Sequence, residues 1–197
     1  NNMPAGRLHS TLASAAAPDD GATPQTTTLS SAFFSAGTNV IAVEIHQNAV
    51  NSSDLTFDLE LLGNSAPLGL INFGDAWKYL DNNTRPANWE TTGFNDAAWV
   101  SGPSELGYGD APATTVSYGP DVNNKYITTY FRKTFTITGL NTLNALTLNV
   151  VRDDGIVVYI NGTEVARDNM PGGTPTHSTL ASTAISGTGE TTPITFS

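Results

Sequence analysis

The sequence predicts an all-β protein, an antiparallel jelly-roll β-sandwich with long ordered loops. In segment 54–62 every second residue is large and apolar, so these side chains share one face of a strand whose other face is polar. The chain also has 18 glycines and 11 prolines, and only 13% of its residues are charged. This composition is typical of many short strands joined by turns. Helix signals are limited to 11–17, a short run that ends at Pro18.

Four further segments have the character of strands: 39–46, 130–137, 145–151 and 155–166. In the last of them, Asn161-Gly162 separates two short β-runs, which is a strong signal for a tight β-hairpin. Between about 80 and 125 the chain is rich in Asn, Gly, Pro, Asp and Ser. We expect long ordered loops there, fixed in place by the aromatic residues Trp89, Phe94, Trp99 and Tyr108.

Charge and composition exclude several classes of partner. The net charge is −10 with only eight Lys and Arg, so the clustered cations that bind nucleic acid or an anionic membrane surface are missing. The chain has no cysteine, which excludes disulfides and thiolate chemistry, and no apolar run approaches the length of a membrane span. We expect an extracellular or cell-surface protein whose sequence starts after processing or at an arbitrary boundary.

A segment near the start of the chain is repeated near its end, and this repeat changes the predicted domain organisation. Asn2-Met3-Pro4 and the run His9–Ser14 reappear as Asn169-Met170-Pro171 and the run His177–Ser182. The run HSTLAS is identical in both places, and both copies continue through Thr-rich tracts to Thr28-Leu29-Ser30 and Thr195-Phe196-Ser197. We call 1–30 the first tail copy and 168–197 the second tail copy. Self-similarity of this kind is the sequence signature of a repeat protein.

The repeat predicts an unusual domain organisation. The first tail copy continues into 31–63, which we call the closing segment, whereas no such segment follows the second copy within the sequence. Residues 1–63 are therefore predicted to be the C-terminal strands of a repeat, and 64–197 a jelly-roll body that lacks its last strands. The closing segment could fold back in cis, insert into a neighbouring copy, or belong to a longer tandem array. Completion within an array or between subunits ranks first, because two tail copies would compete for one place in cis.

Several motifs together resemble the galactose-binding-like jelly-roll superfamily, in particular accessory domains of large secreted or surface bacterial proteins. The resemblance rests on Trp77-Lys78-Tyr79, Trp89, 94–99, 106–109, 130–135, 153–162 and the tail motif 37–47. It covers most of the chain in permuted order, with the body at 66–197 and the tail at 1–63. The resemblance implies attachment, spacing or carbohydrate contact as roles, and it does not imply hydrolysis.

Candidate metal ligands are aspartates in turns and loops. Asp153 and Asp154 lie at a junction between two strands, where paired carboxylates can bind Ca²⁺ or can simply cap the turn. Asp96, Asp110 and Asp121 lie in the long loops and are weaker candidates for the same ion. A structural Ca²⁺ is the one cofactor that the sequence suggests, because long loops need something to order them.

Candidate ligand-binding residues are the three tryptophans and one histidine. Trp77, Trp89 and Trp99 could stack on sugar rings, or they could fill the core beneath the long loops. His46 could contact a ligand, whereas His9 and His177 occupy equivalent repeat positions and are expected to be scaffold residues.

No catalytic residues are predicted. No glutamate lies in an acid/base motif, and no nucleophile motif is present. Glu44 is expected to pair across the sheet with Arg132 or Lys133.

The leading hypothesis is a non-catalytic structural or adhesive repeat of an extracellular surface protein or filament. Its strands would be completed by neighbouring repeats or by other copies of the chain. The alternative is a carbohydrate-binding accessory module of a larger secreted enzyme, which predicts an exposed aromatic residue beside a polar cleft. An enzyme domain, the third possibility, would need two carboxylates converging in a pocket.

Overall fold

A computed structural model of the protein describes residues 27–46, 55–64, 67–109, 111–138, 146–189 and 192–196. Within these ranges the chain forms thirteen strands: β1 (Thr27–Leu29), β2 (Gly37–His46), β3 (Leu55–Asn64), β4 (Pro67–Ile71), β5 (Ala76–Leu80), β6 (Val100–Pro103), β7 (Leu106–Tyr108), β8 (Thr114–Thr115), β9 (Thr128–Ile137), β10 (Leu146–Arg152), β11 (Gly155–Ile160), β12 (Thr163–Asp168) and β13 (Ile194–Phe196). Short 3₁₀ helices span Ser31–Phe33 and Gly187–Gly189. None of the described segments is a helix that is long and apolar enough to cross a membrane.

In the described part of the chain the strands form two sheets. The six-stranded sheet has the order β12-β11-β2-β9-β5-β6 and is antiparallel throughout. The seven-stranded sheet has the order β1-β10-β3-β7-β8, with β13 also paired to β10 and β4 to β3. Its one parallel pair among the described strands joins β7 to β8. The all-β class and the two-sheet sandwich architecture are therefore confirmed.

The core lies between the two sheets and follows from the period of two. Ile41, Val43 and Ile45 of β2 are fully buried and face Leu55, Phe57 and the other odd-numbered apolar residues of β3. Phe57 stacks on Phe131 with ring centroids 4.6 Å apart, and it meets Trp77 edge-on at 5.0 Å. Because successive side chains in a strand point to opposite faces, this alternation buries one face of each sheet.

Every strand predicted from alternation is present. β2, β3, β9 and β10 coincide with the predicted segments to within a few residues, and β11 and β12 form the predicted hairpin. Asn161 and Gly162 both have positive φ, 52° and 87°, as the two central residues of a type I′ turn require. The sequence does not predict the short strands β1, β4 to β8 and β13, and the run 11–17, which could form a short turn of helix, lies outside the described residues.

The closing segment occupies interior positions in both sheets. β2 pairs with β11 on one side and with β9 on the other, and β3 lies between β10 and β7. The sandwich of the single chain is therefore built from the closing segment and the body together. The assignment of 1–63 as closing strands of a repeat and of 64–197 as an incomplete body stays a prediction.

Candidate functional site

The outer face of the six-stranded sheet is covered by loops and carries buried polar residues. Glu44 and His46 point to this side of β2, because they alternate with the inward-facing Ile45. The register places Tyr130 of β9 beside Glu44 and Thr128 beside His46. We call this surface the covered face. Its polar residues are the strongest candidates for a specific role, because burying charge costs free energy unless partners compensate.

Glu44 is fully buried and lies at the centre of the covered face. Its Oε1 accepts a hydrogen bond of 2.7 Å from the hydroxyl of Tyr159, and its Oε2 lies 3.6 Å from Nε2 of His46. The expected pairing of Glu44 with Arg132 or Lys133 is wrong. The register aligns Arg132 with Ala42, and its guanidinium pairs with Asp96 instead.

Arg132 and Lys133 pair with acids in the loops. Arg132 Nε donates a 3.0 Å hydrogen bond to Asp96, and its Nη1 donates to the backbone carbonyl of Trp89. Lys133 lies 3.4 Å from Asp75. Both cations therefore fix loops to the sheet and leave Glu44 to Tyr159 and His46.

His46 is fully buried and is held from the second tail copy. Its Nδ1 contacts the backbone carbonyl of Thr179 and lies 3.0 Å from the hydroxyl of Thr128. A carbonyl oxygen only accepts, so His46 donates from Nδ1 and presents Nε2 toward Glu44. Among the residues that the structure describes, neither Glu44 Oε2 nor His46 Nε2 has a hydrogen-bond partner.

Two loops cover this face. In the first, the fully buried Trp89 packs edge-on against Tyr130 at 4.7 Å and against Tyr159 at 5.7 Å. In the second, 169–183 of the second tail copy, Met170 and Ala181 are buried in the same apolar cluster. Residues that the repeat duplicates are thus part of the cover.

His177 joins the second loop to the sheet. Its ring stacks on Tyr130 at a centroid distance of 6.0 Å, with Nδ1 3.1 Å from the tyrosine hydroxyl and Nε2 2.7 Å from Oδ1 of Asn83. Burial, with the neighbouring His46 adding to it, lowers the pKa of His177 below its ordinary value. The expectation that His177 is a scaffold residue fits these contacts, whereas His9 lies outside the described residues.

The tyrosines of the covered face are held as neutral hydrogen-bonding groups. Burial and the nearby Glu44 carboxylate raise the pKa of Tyr159 and the pKa of Tyr130 well above the ordinary value of 10.0. The hydroxyl of Tyr159 therefore donates to Glu44 across the whole physiological range. The arrangement provides fixed hydrogen bonds between strands β2, β9 and β11 and the covering loops.

The edge of β10 brings the two tail copies together. Thr27, Thr28 and Leu29 of β1 pair with Leu148, Thr147 and Leu146, and Ile194, Thr195 and Phe196 of β13 pair with Val150, Asn149 and Leu148. The two strands run in the same direction along one edge, and both reach Leu148. Equivalent strands of the repeat thus share a single edge, displaced by two residues.

The candidate sugar-stacking residues are buried. Trp77 and Trp89 have no exposed surface, and Trp99 is 8% exposed. Trp77 belongs to the core between the sheets, whereas Trp89 and Trp99 stack on each other beneath the loops, 6.5 Å apart. These positions match the core-filling alternative and leave no open ring face at the three residues.

The candidate calcium ligands are dispersed. Asp153 and Asp154 are fully buried, and Asp154 Oδ1 accepts a 2.6 Å hydrogen bond from the backbone of Ile185. Asp96 forms ion pairs with Arg132 and Lys78, and Asp121 accepts from the backbone of Asn123 within its own turn. Asp110 lies outside the described residues. In the ranges that the structure describes, no three acidic or histidine side chains converge as a metal site would require.

Sequence reasoning missed most residues of the covered face. Tyr130 and Tyr159 entered the sequence analysis only as fold landmarks, and Thr128 was not singled out. The available signal was Glu44 and His46 on one face of a strand that is otherwise apolar.

No family model, curated protein or solved structure matches the chain.

Proposed function

We propose that this chain is a non-catalytic structural or adhesive repeat of an extracellular surface protein or filament, with a galactose-binding-like jelly-roll fold. Each body is closed by a closing segment, which a neighbouring repeat or a second copy of the chain supplies. The partner is therefore another copy of the same sequence, and the interaction is strand insertion into both sheets.

The interior position of the closing segment carries the proposal. Without β2, strands β9 and β11 would each lose an interior partner, and without β3 the same would hold for β7 and β10. Loss of the apolar side chains of β2 and β3 would also leave the core open. A body without this segment presents exposed strand edges and a hydrophobic cleft, which a homologous segment would fill.

The shared edge of β10 adds support. In a continuous array the second tail copy would lead directly into the next closing segment, as the first tail copy leads into β2. One strand would then occupy the whole edge that β1 and β13 divide between them. The division favours the view that one of the two copies belongs to a neighbouring body.

Engineered disulfides test the proposal, since the chain has no cysteine of its own. Thr38 of β2 and Thr136 of β9 are exposed and directly opposite each other. Thr38→Cys combined with Thr136→Cys should give disulfide-linked oligomers on a non-reducing gel, and light scattering of the wild-type chain should show assemblies larger than a monomer. The single variants serve as controls. A disulfide that forms only within one polypeptide, in a monodisperse monomer at every concentration, would remove assembly between copies.

The carbohydrate-binding alternative has less support. The three tryptophans that we considered as sugar platforms, Trp77, Trp89 and Trp99, are buried. Calorimetric titration with a panel of mono- and oligosaccharides would test it, and saturable heat with any of them would revive it.

A further inference from the structure

The apolar face of β2 does not by itself fix how the closing segment is placed. Ile41, Val43 and Ile45 are similar in shape and repeat every second residue. A slip of two residues along β9 and β11 therefore keeps apolar side chains facing the core. Something other than the apolar pattern must select the register, whichever copy supplies the segment.

Asn161, at the tip of the hairpin between β11 and β12, makes the contacts that distinguish these registers. Its Oδ1 accepts a 2.9 Å hydrogen bond from the backbone of Val40. Its Nδ2 donates 3.1 Å to the carbonyl of Phe33 and 2.9 Å to Oδ1 of Asn39. Its own backbone N–H donates 2.9 Å to the carbonyl of Val40. One body residue therefore contacts three positions at the entrance of the closing segment.

Asn39 is the complementary residue in the closing segment. It is fully buried, and its Nδ2 donates to the carbonyls of Ser35 and Gly37 at 2.8 and 3.0 Å. Its Oδ1 accepts from the backbone of Ser35 at 2.9 Å as well as from Asn161. Only the bond from Asn161 depends on the register, because the other three lie within the closing segment and move with β2.

A slip in either direction breaks this arrangement. Moving β2 by two residues one way places Asn39 at the site of Ile41, inside the core. Moving it the other way brings Ile41 to the side chain of Asn161, whose amide then loses a partner. The first slip places an amide among apolar side chains, and the second leaves the amide of Asn161 with one partner fewer, so both slips are unfavourable.

From these contacts we infer that Asn161 is a specificity-determining residue for the closing segment. It recognises a segment that carries an asparagine at the position of Asn39 with free backbone groups at Phe33 and Val40, which is a second copy of this chain. The inference rests on the proposed function for the identity of the partner. Asn161 acts on a segment from the same chain in the same way.

Cysteine pairs that report the register test this inference. Thr38→Cys with Thr136→Cys reports the native register. Thr38→Cys paired with Thr134→Cys or with Thr138→Cys reports a slip of two residues in either direction, because all four side chains are exposed on one face. Each pair is combined with Asn161→Gly, which removes the side chain but tolerates the positive φ of 52°. Thr163→Ala, an exposed change beside the same turn, is the matched control.

With Asn161 intact, the native pair should dominate. In Asn161→Gly the ratio of native to slipped disulfides should fall by about fivefold or more, as expected for the loss of about one net hydrogen bond. Asn161→Asp keeps the turn and the acceptor for Val40 but loses the donor, so it should give an intermediate ratio; it decides the question if Asn161→Gly does not fold. An unchanged ratio in both variants, or an equal fall in Thr163→Ala, would overturn the inference.

The two proposals fail separately. Whether the disulfide joins two polypeptides or one tests assembly between copies, and the ratio of native to slipped pairs tests the role of Asn161. A monomer whose register depends on Asn161 would disprove the assembly alone.

Discussion

The two faces of β2 are buried in different ways. The inner face contributes Ile41, Val43 and Ile45 to an apolar core between the sheets, whereas the covered face contributes Glu44 and His46 to a hydrogen-bonded cluster under two loops. Apolar burial supplies free energy without direction, since it scales with area. Hydrogen bonds have defined partners, and a buried polar group without one is costly. The inner face therefore supplies stability to the closing segment, whereas the polar contacts of the covered face and of Asn161 fix its position.

β3 repeats the same division within the closing segment. Its inner face carries Leu55, Phe57, Leu59 and Leu61. Its polar residues contact particular partners: Asp58 accepts from the backbone of Gly74 at 3.3 Å and Glu60 accepts from Asn149 at 2.8 Å. Both strands of the closing segment therefore combine an apolar face of low specificity with polar contacts of high specificity.

The largest effect is expected on the inner face. Phe57→Ala removes a fully buried ring that packs against Phe131 and Trp77, so the free energy of unfolding should fall by about 3–5 kcal/mol. Denaturant titration measures this loss. The ratio of native to slipped disulfides should stay unchanged in this variant, because its polar contacts are intact. A change in register would contradict the division between the two faces.

The next largest effect is the pH dependence that Asp58 gives to the free energy of unfolding. Burial raises the pKa of Asp58 from 3.8 to about 6, so the folded state binds a proton that the unfolded state has released. This contribution to stability is fully present below 3.8 and is lost as the pH rises through about 6, with an upper magnitude of about 3 kcal/mol. Urea unfolding of wild type and Asp58→Asn across this range should give a difference that follows this curve.

His177, on the covered face, contributes a pH dependence of the free energy of unfolding that has the opposite sign. Because its pKa is lowered from 6.5, its contribution is present above 6.5 and is lost as the pH falls through its folded-state pKa. The difference between wild type and His177→Asn should therefore change in the opposite direction from that of Asp58→Asn. Parallel changes in the two differences would show that these groups do not control the titration.

Most of the sandwich could be predicted from the sequence, because β3 and β10 alternate apolar and polar residues and because β2, β9 and β11 are rich in β-branched and aromatic residues. Asn161-Gly162 also determines a hairpin locally. The short strands could not be predicted. β7 and β8 have three and two residues; β7 is a strand because it pairs with the edge of β3, and β8 because it pairs with β7. A pattern of period two needs more residues than these to be visible.

The covered face was harder to predict than the core. Glu44 stood out as an acid in an apolar strand, but its partner depends on the pairing of β2 with β11, which brings in Tyr159 from a distant part of the chain. A cation was the reasonable expectation from charge alone. The two available cations were taken by Asp96 and Asp75, which only the packing of the loops reveals.

The smallest expected effect concerns two glutamates of the same sheet, Glu44 and Glu164. Glu44→Ala leaves the buried hydroxyl of Tyr159 without its acceptor, and the free energy of unfolding should fall by about 1–3 kcal/mol. Glu164 on β12 makes an ion pair with Arg167 that solvent reaches, so Glu164→Ala should cost about 0.5 kcal/mol or less. Each change removes a carboxylate that accepts hydrogen bonds from one neighbouring side chain. The two sites differ in burial, because loops cover Glu44 and solvent reaches Glu164. Equal losses in denaturant titration would mean that the covering loops add nothing to the polar contacts, and the covered face would then have no special part in holding the closing segment.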